Sequence, residues 1–214
     1  MIFNSSRSPR KRLRLMRDQS RKDAVMLFMV EAELLTEMDR KPEALNVYDA
    51  ALEAHPDDPE LLYARGLHGA AMQRLDVLEA DLGRLLELDP DHVDALNALG
   101  YSLADMTDRH QEALALIQRA LALKPDEGAI MDSMGWVHYR LGNLELALDY
   151  LRQASAKIPD DPEVAAHLGE VLWALGRHEE AWQAWEQGLA KAPEHAYLLK
   201  VVGRHRVSQN GFKP

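Results

Sequence analysis

Nine histidines and thirty-five carboxylates are the side chains here with the means to do chemistry, and their spacing gives them no shared task. There is no His-Glu-x-x-His, and no two histidines stand four residues apart, the spacing that brings two ligands to one helix face. His138 falls on an apolar helical stripe, where a hydrogen-bonded core histidine is expected. His92, within Asp89-Pro90-Asp91-His92-Val93-Asp94, lies in a turn whose acidic residues read as helix caps. Ser133 sits in a helical segment with no base beside it, no Gly-x-Ser-x-Gly or phosphate-cradling glycine loop occurs, and the chain has no cysteine. The sequence therefore assigns no catalytic residue, no metal ligand and no cofactor, and an enzyme is not expected.

Recognition chemistry is better represented. Tyr101, Trp136, Tyr139 and Trp173 are interleaved with Asn97, Asp132, Arg140 and Glu170. Large aromatics with a polar tip, together with arginine, dominate the binding energy of protein interfaces. An asparagine amide can donate to and accept from an extended peptide backbone. A second group, Met26, Phe28 and Met29, offers an adaptable apolar surface of the kind that pairs copies of a chain.

What must position these residues is a repeat. Pro56, Pro90, Pro125, Pro159 and Pro193 are spaced by 34, 35, 34 and 34 residues. Aligned on these prolines, five units run 25–58, 59–92, 93–127, 128–161 and 162–195. The eighth position of each reads Ala32, Gly66, Gly100, Gly135 and Gly169, small enough for two helix backbones to approach. The twenty-fourth reads Tyr48, Leu82, Ile117, Leu151 and Trp185, a large plug. Apolar spacings of three and four predict helices throughout. Asp58-Pro59-Glu60 and Asp161-Pro162-Glu163 read as cap, first-turn proline and acidic first turn. Gly142 and Gly176 suit a left-handed stop after the first helix of a unit, and Asp39-Arg40-Lys41-Pro42 does the same work. The extra residue of the third unit falls in Met106-Thr107-Asp108-Arg109-His110.

The stretches LNALGYSLAD (96–105), DSMGWVHYRLGNLELALDYL (132–151) and HLGEVLWALGRHEEAWQAW (167–185) resemble the tetratricopeptide pattern of Trp, Leu-Gly, Tyr, Ala, Phe and Pro at set offsets. The resemblance covers residues 25–195. It implies an all-α fold, a right-handed superhelical solenoid of helical hairpins that binds other proteins or peptides in a concave groove. Residues 196–208 look like one more first helix, capping the stack, with a basic segment and remnant helix before the repeats (1–24) and a disordered tail after them (209–214). In that family the second, fifth, ninth and twelfth positions of each first helix line the groove, which here selects Asn97, Tyr101, Asp132, Trp136, Tyr139, Glu170 and Trp173, with Arg140 alongside. Trp136 and Trp173 either face the groove or pack between neighbouring first helices. Positions two and five carry no Lys or Arg in any of the five units, so a clamp for two carboxylates is not expected, and a neutral or basic segment fits better.

Taken in order, the same stretches look like the carboxyl-terminal repeats of bacterial outer-membrane tetratricopeptide lipoproteins. Some of that group act as adaptors for periplasmic carboxyl-terminal processing proteases. That resemblance implies the periplasmic side of the outer membrane, with the targeting segment absent from this chain; a cytoplasmic location is the alternative. The net charge of −10 is uneven: residues 1–22 carry +7, leaving −17 on the remainder. An acidic body repels phosphate backbones, so nucleic acid is not the expected partner. No run of eighteen apolar residues predicts a membrane span. The second functional expectation is self-assembly into a homo-oligomer through the amino-terminal end.

Overall fold

The structure, a computed structural model, describes residues 9–210, with side chains from 20 to 206. Eleven helices and no strand occur among the described residues. They are α1 (Pro9–Glu37), α2 (Lys41–Ala54), α3 (Pro59–Ala71), α4 (Leu75–Leu88), α5 (Val93–Met106), α6 (His110–Leu123), α7 (Gly128–Arg140), α8 (Leu144–Lys157), α9 (Pro162–Ala174), α10 (His178–Lys191) and α11 (Ala196–Asn210). The chain divides into two compact bodies, Met1–Leu88 and Asp89–Pro214. In the first, α1 packs on α2 and α3 on α4. In the second, the hairpins are α5 with α6, α7 with α8 and α9 with α10, and α11 lies against α9 and α10.

Helix boundaries follow from local chemistry. Asp58 and Asp161 each accept from two first-turn N–H groups, those of Glu60 and Leu61 and those of Glu163 and Val164. The first helices of the fourth and fifth repeats end on left-handed Gly142 (φ +81°) and Gly176 (φ +76°), and Asp39 (φ +57°) and Gln73 (φ +58°) hold that conformation in the first two. The third repeat departs. Thr107 is extended (φ −141°), its hydroxyl donates to Leu103 O at 2.6 Å and accepts from Arg109 N–H at 3.0 Å, and so a side chain closes the lengthened turn. His92, not an acidic neighbour, caps α5: its Nδ1 accepts from Ala95 N–H at 3.2 Å.

Helix α1 runs without a break, because no glycine or proline lies between Pro9 and Pro42. Residues 9–24 thus continue the first helix of the first repeat rather than forming an element apart. Helix α11 extends to Asn210. Residues 1–8 and the end of the expected tail, 211–214, lie outside the described residues.

Four of the five repeats close on a glycine facing a plug, and the first has Ala32 in that place. A Cβ on Gly100 would stand 2.6 Å from Ile117, one on Gly135 2.5 Å from Leu151, and one on Gly169 2.0 Å from Trp185 Nε1. In the second body the core then runs through Ala147, Leu148, Leu151, Ala166, Val171, Leu172, Ala181, Trp185, Leu198, Val201 and Val202. Burying these side chains from water is the main stabilising contribution. His138, 7 % exposed, is a core residue: Asn143 Nδ2 lies 3.4 Å from its Nδ1, and it stacks on Tyr150 with ring centres 5.8 Å apart. Loss of water holds its pKa below the ordinary histidine value.

Candidate functional site

Within the second body the first helices touch in succession, α5 on α7, α7 on α9 and α9 on α11. Side chains three and four residues apart on each helix share a face. Asn97, Tyr101 and Asp105 come from α5, Asp132, Trp136, Tyr139 and Arg140 from α7, Glu163, His167 and Glu170 from α9, and Tyr197, Lys200 and Arg204 from α11.

At the centre of this face lies His167, wholly buried. Its Nδ1 is 3.0 and 2.9 Å from the two carboxylate oxygens of Asp132. Tyr101 OH approaches Nε2 at 3.5 Å. Trp136 stacks on the imidazole with ring centres 4.2 Å apart, and Tyr197 meets it edge-on at 5.6 Å. Burial alone would lower the pKa of His167. The charge and hydrogen bond of Asp132 overcome that, with Glu163 and Asp105 adding to them, and the net direction is upward. Desolvation, with Glu163 and Asp105 near, raises the pKa of Tyr101 well above that of an ordinary phenol.

Two clefts flank this buried pair. The smaller, about 150 Å³, is lined by Asn97, Tyr101, Asp132, Ser133, Asp161 and Glu163 among others. The larger, about 310 Å³, is lined by Asp105, Trp136, Tyr139, Arg140, Glu170, Tyr197, Lys200 and Arg204. In it Arg140 donates to Asp105 O at 2.9 Å, Trp136 Nε1 to Asp105 Oδ1 at 3.3 Å, and Tyr139 OH to Glu170 at 3.5 Å, while Arg204 pairs with Glu170. Three cations face two carboxylates, so this cleft is locally positive in an acidic chain.

Seven of the eight residues expected to bind a partner are thereby brought together: Asn97, Tyr101 and Asp132 at the smaller cleft, Trp136, Tyr139, Arg140 and Glu170 at the larger. Three of them are not free contacts. Trp136 is 5 % exposed, and Asp132 and Glu170 are 7 % exposed each. Neighbouring first helices cover them, and their polar atoms are engaged by His167, Asp105, Tyr139 and Arg204. Trp173 lies apart, half-buried, stacked on His178 and Trp185 at 4.1 and 5.9 Å and tilted against His205 at 4.6 Å. Asn97, Tyr101, Tyr139 and Arg140 remain partly open.

The expected self-association residues divide similarly. Met26 is exposed, whereas Phe28 and Met29 are half-buried. Among the described side chains of α1 and its end, the exposed large apolar residues are Met26, Leu27, Val30, Leu34 and Met38, at spacings that make one stripe. No group of three or more His, Cys, Asp or Glu that could hold a metal ion occurs among the described residues. None of the described helices is long and apolar enough to cross a membrane.

The sequence reading missed Tyr197, Lys200 and Arg204. Counted from Ala196, they occupy positions two, five and nine of a sixth first helix, the same positions that picked out the others. Treating α11 only as a cap left its cations uncounted, and the face is less acidic than the first five repeats imply. His167 was missed because it lies one step off those positions, at position six.

Residues 30–77, 79–128 and 133–197 match the tetratricopeptide repeat family. The chain belongs to that family. Over 129 residues it is 43 % identical to the TPR repeat-containing protein PA4667 of Pseudomonas aeruginosa, a stretch that covers 60 % of this chain and 22 % of that protein. The matched region is thus about a fifth of the relative's length. Among solved structures, TTC0263, a thermophilic tetratricopeptide protein of Thermus thermophilus, superposes with a TM-score of 0.71 at 24 % identity. The match covers 86 % of this chain and 97 % of that one. PilW, described as a widely conserved type IV pilus biogenesis factor, superposes with a TM-score of 0.70 at 17 % identity over 87 % of this chain and 89 % of its own. These likenesses show the fold: an all-α tetratricopeptide solenoid. Tetratricopeptide proteins are in general scaffolds for protein interaction, and no enzymatic family is indicated.

Proposed function

We propose that this chain is a non-enzymatic adaptor that holds a partner protein or peptide along the inner face of α5, α7, α9 and α11. The observation that carries the reading is the larger cleft. It places Tyr139, Tyr197, Arg140 and Lys200 around one partly open hollow, above a floor fixed by Trp136 and Glu170. Tyrosine and arginine on a rigid support are the residue types that anchor partners at low entropic cost. The chemistry fits a segment that presents an apolar or aromatic side chain beside polar backbone. As a finer proposal, the chain is a repeat segment of an outer-membrane lipoprotein, facing the periplasm and bringing substrates to a carboxyl-terminal processing protease. The 43 % identity to a Pseudomonas aeruginosa tetratricopeptide protein is compatible with such a bacterial setting.

The test is affinity capture from the native host with the wild-type chain and with Arg140→Ala/Lys200→Glu. Arg152→Glu on α8 serves as a control away from the clefts. Loss of about tenfold or more of a specific partner with the double variant, and none with the control, is expected, since anchor residues cost about 2 kcal/mol or more when removed. Equal recovery by all three chains would remove the larger cleft from the binding site.

The stripe on α1 favours a second reading, pairing with another copy of the chain. Five exposed apolar side chains on one face form a contiguous patch of the kind that marks an interaction surface. Light scattering over a range of concentrations should show a reversible dimer that Met26→Asp/Leu34→Asp makes monomeric. A wild-type chain that stays monomeric at about 1 mM excludes self-assembly of any useful strength.

A further inference from the structure

The smaller cleft has the opposite chemistry from the larger. Its polar lining is Asn97, Tyr101, Asp132, Ser133, Asp161 and Glu163, with no Lys, Arg or His among its lining residues. Most of these groups are committed. Asp132 holds His167, the Ser133 hydroxyl donates to Ala129 O at 3.1 Å, and Asp161 accepts the first-turn N–H groups of α9. Two acceptors are not committed. Asn97 Oδ1 is buried without a hydrogen-bond partner. Glu163 is exposed, and its carboxylate has neither a hydrogen bond nor an ion pair among the described residues. For Asn97 Oδ1, the buried one of the two, the missing partner destabilises the fold unless something else brings it a donor.

Resting on the groove reading above, we propose that this cleft is a subsite for a lysine or arginine side chain of the bound segment, its nitrogen donating to Asn97 Oδ1 and to the Glu163 carboxylate. A hollow of about 150 Å³ admits an ammonium or guanidinium head with the end of its stem. Ala98, Ala129, Ile158 and Val164 complete the lining and give the methylene stem apolar walls. Asp132 is already paired with His167, and the remaining carboxylates of Asp161 and Glu163 favour a cation over a neutral amide. A metal ion is the poorer occupant, since no metal-holding cluster exists among the described residues. Desolvation raises the pKa of Glu163. The nearby charge of His167 opposes this, and Asp132 and Asp161 add to it. A cation in the cleft would oppose that direction.

The test titrates the uniformly 15N-labelled full chain with four small compounds, the N-acetyl methylamides of lysine, arginine, glutamine and glutamate. The readout is the Asn97 side-chain amide and the backbone amides of Ala98 and Glu163. Saturable shifts in the millimolar range with the lysine and arginine compounds alone are expected, weakened about fivefold or more in Glu163→Gln and in Asn97→Leu. The unchanged remainder of each variant's spectrum reports that the fold is intact. Absence of saturation up to about 100 mM, or an equal response to the glutamine compound, overturns the subsite. The groove reading is judged by a different measurement, partner capture with the Arg140/Lys200 variant. A blank titration beside selective capture removes the subsite and leaves the groove, and a saturable titration beside indiscriminate capture does the reverse.

Discussion

Gly169→Ala should destabilise the second body by about 3 kcal/mol or more, toward the upper end of what an added methyl costs in a packed core. The new Cβ would stand 2.0 Å from Trp185 Nε1 and 2.3 Å from Cε2. Neither atom can retreat. Trp185 is wholly buried, and its indole N–H donates to Ala166 O at 3.2 Å, so moving the ring also breaks a hydrogen bond. Gly203→Ala supplies the contrast. Gly203 lies inside α11, exposed, with nothing within 4 Å of the added atom. There the methyl removes only the flexibility of glycine, and stability should rise by about 0.5–1 kcal/mol. Urea midpoints of the two variants against the wild type measure both. Equal effects would mean that the close approach of α9 and α10 is not set by this glycine.

The second large effect is at the buried ion pair. Asp132→Ala strands the wholly buried His167 ring without its partner, and removing one partner of such a pair costs about 3–5 kcal/mol. Because Asp132 drives the upward direction of the His167 pKa against burial, the loss depends on pH. A histidine whose folded pKa lies above its unfolded value of about 6.5 adds stability fully below that value, and loses it as pH rises through the folded pKa. The wild type should therefore lose midpoint steadily as pH is raised from about 6.5, and Asp132→Asn should be both weaker and flat across that window. Denaturation midpoints taken at several pH values check this. A wild-type curve as flat as the variant's would show that the imidazole is neutral in the fold.

The repeat was legible because it is written in small residues. Gly66, Gly100, Gly135 and Gly169 fall at one position, their plugs at another, and the structure seats each glycine against its plug. The turn residues Gly142 and Gly176 carried the same kind of information, since their conformations exclude most side chains. What the residue pattern could not reveal was how deeply each helix is covered by the next. Trp136 and Asp132 were picked out by helix position alone, yet α9 brings His167 up against both, and that contact spans 31 to 35 residues of sequence. Burial of this kind depends on the neighbour's side chain, not on the residue's own position. The continuity of α1 was hidden for a different reason: the repeat defines where a unit begins, and a helix ignores that boundary when no proline or glycine marks it.

The pairing of each glycine with its own plug has a consequence for anyone recombining this architecture. The plugs differ greatly in bulk, from Ile117 and Leu151 to Trp185, and each is met by a backbone notch within its own hairpin. A cassette cut between the two helices would marry a notch to a stranger's side chain, whereas one cut at the prolines carries both halves of the lock together. Designed chimaeras of such arrays should tolerate the second kind of splice and reject the first.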